Sequence, residues 1–164
     1  MEYTTVYEIS ATAFPVYYII PFVLLLVFAF LFYKLIKLKI KNSLCVILPL
    51  VIALMTFLSI ACVYDYIDTQ NNIIKPYFDG EYKTVSGVVE SFKPLPSKGN
   101  GTESFEVKGI EFIYSKSSIA YVGYNIEASD GGYINENGQK VRIRYAYDKV
   151  YDRNLILKLE IINE

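Results

Sequence analysis

The residues able to do chemistry in this chain are carboxylates, tyrosines and lysines, because histidine is absent from all 164 residues and only two cysteines occur. Losing histidine removes the usual general base near neutral pH and the commonest metal ligand. Cys45 and Cys62 are too few for a zinc cluster or a disulfide framework. They lie 17 positions apart in one apolar run, about 25 Å along a helix, so they cannot pair with each other. No metal site and no cofactor is expected. Carboxylate pairs remain, as in glycoside hydrolysis, and Glu103, Glu111 and Asp130 are the candidates. Glu111 falls on the polar side of its strand pattern, a solvent position. Asp130-Gly131-Gly132 puts a single acid in a turn, not a calcium loop, and no phosphate-binding glycine pattern occurs. No catalytic residue is therefore assigned. An extracytoplasmic carboxylate-dependent hydrolase is the alternative, and so is a helper subunit of a membrane complex.

Binding is better supported than catalysis. Residues 76–164 hold nine tyrosines, which give contact area with a polar handle. Tyr114, Tyr121, Tyr124 and Tyr133 lie in or beside the longest irregular segment, where a ligand or partner patch is expected. The same residues carry eight Lys and three Arg against four Asp and nine Glu, a net charge of −2. Nucleic acid is thereby disfavoured, since a stacking platform needs a basic groove. Envelope proteins or glycan are the expected contacts.

The elements that must position these residues divide the chain. Hydrophobic residues make up 53% of it and mean hydropathy is +0.29, with the apolar residues concentrated in the first third. Val16–Tyr33 and Leu44–Tyr64 contain no charge. At about 1.5 Å per residue they reach roughly 27 and 31 Å, the depth of a hydrocarbon core. Two transmembrane helices follow, about 15–38 and 44–64, with Pro21 and Pro49 expected to kink them. Tyr17, Tyr18, Tyr33, Tyr64 and Tyr66 stand where aromatic belts form. Lys34, Lys37, Lys39 and Lys41 fill the connection without an acid, whereas Glu2, Glu8, Asp65 and Asp68 flank the outer ends. The positive-inside rule then puts the lysine turn in the cytoplasm and both termini outside a cell membrane crossed twice. A cleaved signal peptide is not expected, because residues 1–15 lack Lys and Arg.

Residues 1–12 read as a short outer tail and 65–81 as a juxtamembrane linker, helical until Pro76. Residues 82–164 form the extracytoplasmic domain. Five strand patterns fall at Tyr82–Phe92, Ser104–Val107, Ile110–Tyr114, Gln139–Tyr147 and Asn154–Ile162. Gly87 suggests a bulge in the first, and Lys108-Gly109 a two-residue hairpin turn. In the last, Leu155, Leu157, Leu159 and Ile161 read as one apolar face. The fold class is thus an α+β membrane protein, a two-helix transmembrane hairpin followed by a small antiparallel five-stranded OB-like β-barrel. An open β-sandwich or SH3-like barrel is the alternative. Lys93–Gly101 reads as a loop that could contact a partner.

Gly87-Val88-Val89-Glu90, Phe92-Lys93-Pro94, Glu103-Ser104-Phe105, Gly109 and Phe112-Ile113-Tyr114 resemble an uncharacterised bacterial family of small two-span membrane proteins. Gly131-Gly132, Gly138, Val141-Arg142-Ile143, Tyr145 and Leu157-Lys158-Leu159-Glu160 continue that likeness over roughly residues 82–162. It implies a fold and a compartment but no mechanism. In architecture alone, a helical anchor before a small barrel is similar to NfeD-like membrane proteins, which implies a scaffold role.

Overall fold

A computed structural model describes residues 2–12, 14–38, 43–95, 101–117 and 122–162. The chain divides into two units, Phe14–Thr69 and, joined from both sides of it, Met1–Ala13 with Gln70–Glu164.

The first unit is a helix pair. A 3-10 turn, Val16–Tyr18, leads into α1, Ile19–Lys37, and α2 covers Leu44–Thr69. Both helices are long and apolar enough to cross a membrane. In α1 the less exposed positions are Pro21, Leu25, Phe28, Phe32 and Leu35. In α2 they include Leu48, Ile52, Met55, Ser59, Cys62 and Tyr66. Spacings alternating between three and four are the seam along which two helices pack side by side. Outside that seam the helices expose large apolar side chains all round, among them Leu26, Phe30, Val46, Leu50 and Phe57. Pro21 is the third residue of α1 and does not interrupt its ladder, because first-turn amides have no partner inside a helix. Pro49 lies inside α2.

After α2 the chain makes a π-helical turn, Gln70–Ile74, and then a short α3, Lys75–Phe78. Pro76 does not stop the helix as expected. The wider turn before it absorbs the missing amide, and the helix ends at Gly80, whose φ is +90°.

Among the described residues the second unit holds seven strands in two antiparallel sheets, two more than the sequence pattern suggests, and they do not close into a barrel. In chain order these are β1 Tyr3–Glu8, β2 Lys83–Val88, β3 Glu90–Lys93, β4 Glu103–Val107, β5 Ile110–Tyr114, β6 Lys140–Asp148 and β7 Arg153–Ile162. One sheet runs β1-β7-β6-β2 and the other β3-β4-β5. The five-stranded reading fails at two places. Residues 3–8 are no free tail but an edge strand, with Tyr3 opposite Ile162 and Glu8 opposite Lys158. The first expected strand breaks at Val89, whose N–H donates to Gln139 O and whose C=O accepts from Gly138 N, so its two halves join different sheets. The irregularity falls at Ser91, φ +52°, and not at Gly87, which pairs regularly with Val141. Gly87 instead sits in close approach, since a Cβ there would meet the side-chain atom Val107 Cγ1 at 3.0 Å.

Both sheets bury their inner faces in one core that includes Val85, Phe105, Phe112, Val141, Ile143 and Leu159. The β4–β5 hairpin turns through Lys108 and Gly109, both at positive φ, as its sequence requires. In β7 the expected apolar face is split. Arg144 pairs with Lys158 but Tyr145 with Ile156, leaving Leu157 as an extra residue. One inserted residue switches the side chains to the other face. Leu159 therefore faces the main core, whereas Leu155 and Leu157 join Ile9, Ile74, Tyr77 and Val122 in a second cluster.

Candidate functional site

Of the four tyrosines expected to form a contact patch, Tyr114 and Tyr124 lie in the core and not at the surface. Tyr114 and Tyr124 are 2% and 1% exposed, with ring centroids 5.4 Å apart in edge-to-face contact inside the core. The period-two position of Tyr114 on β5 points it inward with Phe112, and Tyr124 packs against it from the connection, so neither has the expected ligand-facing role. The Tyr124 hydroxyl accepts from Tyr133 N at 2.6 Å and so anchors that connection. Tyr133 itself presents its ring to solvent. Tyr121 lies outside the described residues, as do Lys39 and Lys41. Lys34 and Lys37 occupy the last turn of α1, where cations complement the helix dipole.

The carboxylates are arranged differently from the sequence expectation. Glu111 is exposed as expected, and Asp130 sits at the surface in an ion pair with Lys116, 3.0 Å apart. Glu103, the first residue of β4, points inward with Phe105 and Val107 and is 1% exposed. Its Oε2 accepts from Ala128 N at 2.9 Å and its Oε1 from Leu95 N at 3.3 Å. Glu127 is equally buried, and its Oε1 accepts from Lys116 N at 3.1 Å and Ser115 Oγ at 3.3 Å. Lys116 Nζ stands 3.6 Å from its other oxygen. Glu127 has no sequence signal for this role. It lies in an irregular segment with no periodicity, so nothing local signals its burial.

These two acids stitch the long connection to the sheet. Gly131 (φ +84°) and Gly132 turn the chain back so that Gly132 N reaches Glu127 O. The Tyr114 hydroxyl is pushed well above its ordinary range, first by burial and then by the neighbouring Glu103 carboxylate. Tyr124 moves the same way for lack of water. Neither phenol can serve as a base near neutrality. Among the described residues no group of three or more acids or cysteines is placed to hold a metal ion.

A third group crosses the outer side of the four-stranded sheet. Arg142 Nε donates to Glu160 Oε2 at 2.5 Å, and Lys158 Nζ lies 3.2 Å from Glu8 and 3.6 Å from Glu160. The Tyr77 hydroxyl donates to Glu8 at 2.6 Å. That bond, with help from Lys158 and against the opposing effect of burial, holds the Glu8 carboxyl below its usual range, and Arg142 does the same for Glu160.

Open depressions among the described residues include the following two. One of about 310 Å³ is lined by Glu81, Tyr82, Lys83, Tyr145, Ala146 and Tyr147. The other, of about 580 Å³, lies against residues 136–140 with Ile161 and Ile162. Neither is lined by Glu103, Glu127 or Asp130. No protein-family model matches the chain, and no curated protein or solved structure is significantly similar to it.

Proposed function

We propose that this chain is a membrane-anchored module whose β unit acts by binding, with the lysine turn in the cytoplasm and both termini outside. The observation that carries this reading is the pairing of β1 with β7. These strands flank the two apolar helices in sequence, so the chain must enter and leave the helix pair on one side. Two crossings meet that demand and a single crossing does not. Removal of the first helix as a signal sequence would take β1 with it and strip an edge strand from the sheet. The helix surfaces support lipid as their surroundings. A soluble helix shows one apolar stripe and a polar face, whereas these expose apolar side chains outside a narrow seam.

Binding is favoured over catalysis by how the buried acids are used. Both oxygens of Glu103 accept backbone N–H groups, and Glu127 closes a loop. A carboxylate so engaged is a structural strut, as the fixed backbone donors hold it in one place. The exposed aromatic rings of Tyr133, Tyr147 and Tyr151 offer contact area to envelope proteins or glycan. A scaffold role, as the likeness to NfeD-like proteins implies, is in keeping with this.

The test is carbonate extraction of membranes followed by protease treatment of spheroplasts carrying a C-terminal tag. The tag is expected to stay with the membrane fraction and to be lost on protease addition. Release by carbonate, or protection until lysis, overturns the reading.

A further inference from the structure

Both segments that lead to the apolar helices leave the β unit at one end of its four-stranded sheet. β1 runs toward that end, with Glu8 opposite Lys158 and Ile9 N donating to Leu157 O at 2.9 Å. β2 starts from it, with Lys83 opposite Tyr145. Ile9 from the first segment, with Ile74 and Tyr77 from the second, is buried there against Leu155 and Leu157. β6 continues three residues past Tyr145 before it turns, about 10 Å at the rise of a strand. The β6–β7 turn therefore projects beyond the level at which β1 ends and β2 begins.

The turn holds apolar side chains out. Tyr147, Val150 and Tyr151 are all exposed, and Val150, at 73%, is the most exposed large hydrophobic residue among those described in the β unit. Phe78, on the segment that feeds β2, is exposed as well. Single exposed hydrophobics need no explanation, but these gather at one end and the turn that carries three of them is braced. Asp148 Oδ1 accepts from Val150 N at 2.8 Å and from Tyr151 N at 3.3 Å. The Tyr147 hydroxyl donates to Asp152. Both amides at the tip are satisfied inside the turn, as apolar surroundings require. The formal charges of the turn cancel, Asp148 and Asp152 against Lys149 and Arg153, so its attraction is apolar and aromatic in kind.

We infer that the β6–β7 turn rests in the surface of the bilayer that holds the helices, with Val150 at the boundary of headgroups and acyl chains and the Tyr147 and Tyr151 rings among the headgroups. The occupant follows from continuity. Both segments that leave this end of the sheet run into helices whose surfaces suit lipid, so a bilayer faces this end and not the other. Tyrosine concentrates at that depth because its ring is apolar and its hydroxyl stays wet. A docked turn leaves the far end of the sheet, where β2 finishes and β6 begins, directed away from lipid. The inference rests on the anchored reading above. It takes lipid as the partner of two of the exposed tyrosine rings named there and leaves Tyr133 for other contacts.

The test uses the full chain in phosphatidylcholine vesicles, with Cys45 and Cys62 replaced by alanine and one cysteine introduced to carry a fluorophore. Glu136→Cys, ahead of β6 at the far end of the sheet, is the reference position. Nitroxide-bearing lipid is expected to quench a label at Lys149→Cys roughly threefold or more over that reference, since interfacial segments sit about 5–10 Å into the headgroup boundary. Adding Val150→Glu to the Lys149→Cys chain should bring quenching down to the reference level. Val150 is exposed, so the melting temperature of that variant should not fall and misfolding does not mimic the result. Quenching should be the same with phosphatidylglycerol added and should not change with salt, which screens charge but not apolar contact. A Lys149 label quenched no more than the reference, quenching that survives Val150→Glu, or quenching confined to the anionic vesicles each overturns the proposal. Carbonate extraction of the same vesicles separates this outcome from failure of the anchor. A chain that stays with the lipid while its Lys149 label is unquenched loses the docked turn alone, whereas a chain released by carbonate loses both.

Discussion

Glu8 and Tyr77, 69 positions apart in sequence, share a hydrogen bond of 2.6 Å. One precedes the apolar helices and the other follows them, so this bond ties together the two ends of chain that lead into the helix pair. It sits beside the second hydrophobic cluster, where Tyr77 packs with Ile9, Ile74, Leu155 and Leu157. The β unit thus depends on residues from both sides of the helices.

That dependence predicts a disulfide. Thr4 and Ile161 are directly paired, and opposed residues in antiparallel strands lie about 4.5–5.5 Å apart at Cα, within reach of a disulfide. In a chain lacking Cys45 and Cys62, Thr4→Cys with Ile161→Cys should cross-link in cells if both ends lie in an oxidising compartment. Non-reducing electrophoresis reads the closed loop as a mobility shift. Reduced cysteines in cells, with cross-linking only after lysis and oxidation, would place the domain in the cytoplasm.

Acid should loosen the β1–β7–β6 side of the sheet. Glu8 and Glu160 are both held below the ordinary carboxylate range in the folded chain. A depressed folded-state value contributes stability above the unfolded value, and the contribution is lost as pH falls through the folded one. Melting temperature should therefore be flat near neutrality and decline below the usual carboxylate range. Glu160→Gln should lower stability by about 1–3 kcal/mol at neutral pH and flatten the acid decline.

Gly132 and Gly131 should respond differently to alanine. At Gly132 a Cβ would lie 2.4 Å from Ile126 O and 2.7 Å from Glu127 O, both rigid backbone atoms. Gly132→Ala should cost about 2–4 kcal/mol in urea unfolding. Gly131 has open space, so Gly131→Ala meets only the strain of its positive φ, about 1 kcal/mol.

Removing the Glu103 carboxylate should free the long connection. Glu103→Ala leaves the half-buried Ala128 N and Leu95 N without their acceptor, and losing such a bond costs about 1 kcal/mol each. Amide hydrogen exchange should accelerate at Ala128 and Leu95, while the β6–β7 ladder stays protected. Unchanged exchange at Ala128 would show that the connection is held by other contacts.

Much of the secondary structure was legible because period and composition carry it directly. The two apolar runs, the β4–β5 hairpin with its Lys108-Gly109 turn, and the strands near 140–148 and 153–162 all follow from local pattern. What failed was long-range. Nothing within residues 3–8 says that they will pair with 158–162. The single extra residue at Leu157 reverses which leucines face which core, and alternation alone cannot show it. Tyr114 and Tyr124 looked available because tyrosine suits both surface and core. Glu127 looked unremarkable because its amide partners are fixed only when the connection folds back.

The sequence by itself determined that two apolar helices precede a β-rich unit lacking histidine and rich in tyrosine, since hydropathy and periodicity are properties of neighbouring residues. Only the tertiary structure decided that the N-terminal strand belongs to that unit, that two sheets pack without closing, and that Glu103 and Glu127 are buried as acceptors for backbone N–H groups. Those outcomes depend on pairing between distant segments, where hydrogen-bond register and a one-residue bulge choose the neighbours of every side chain.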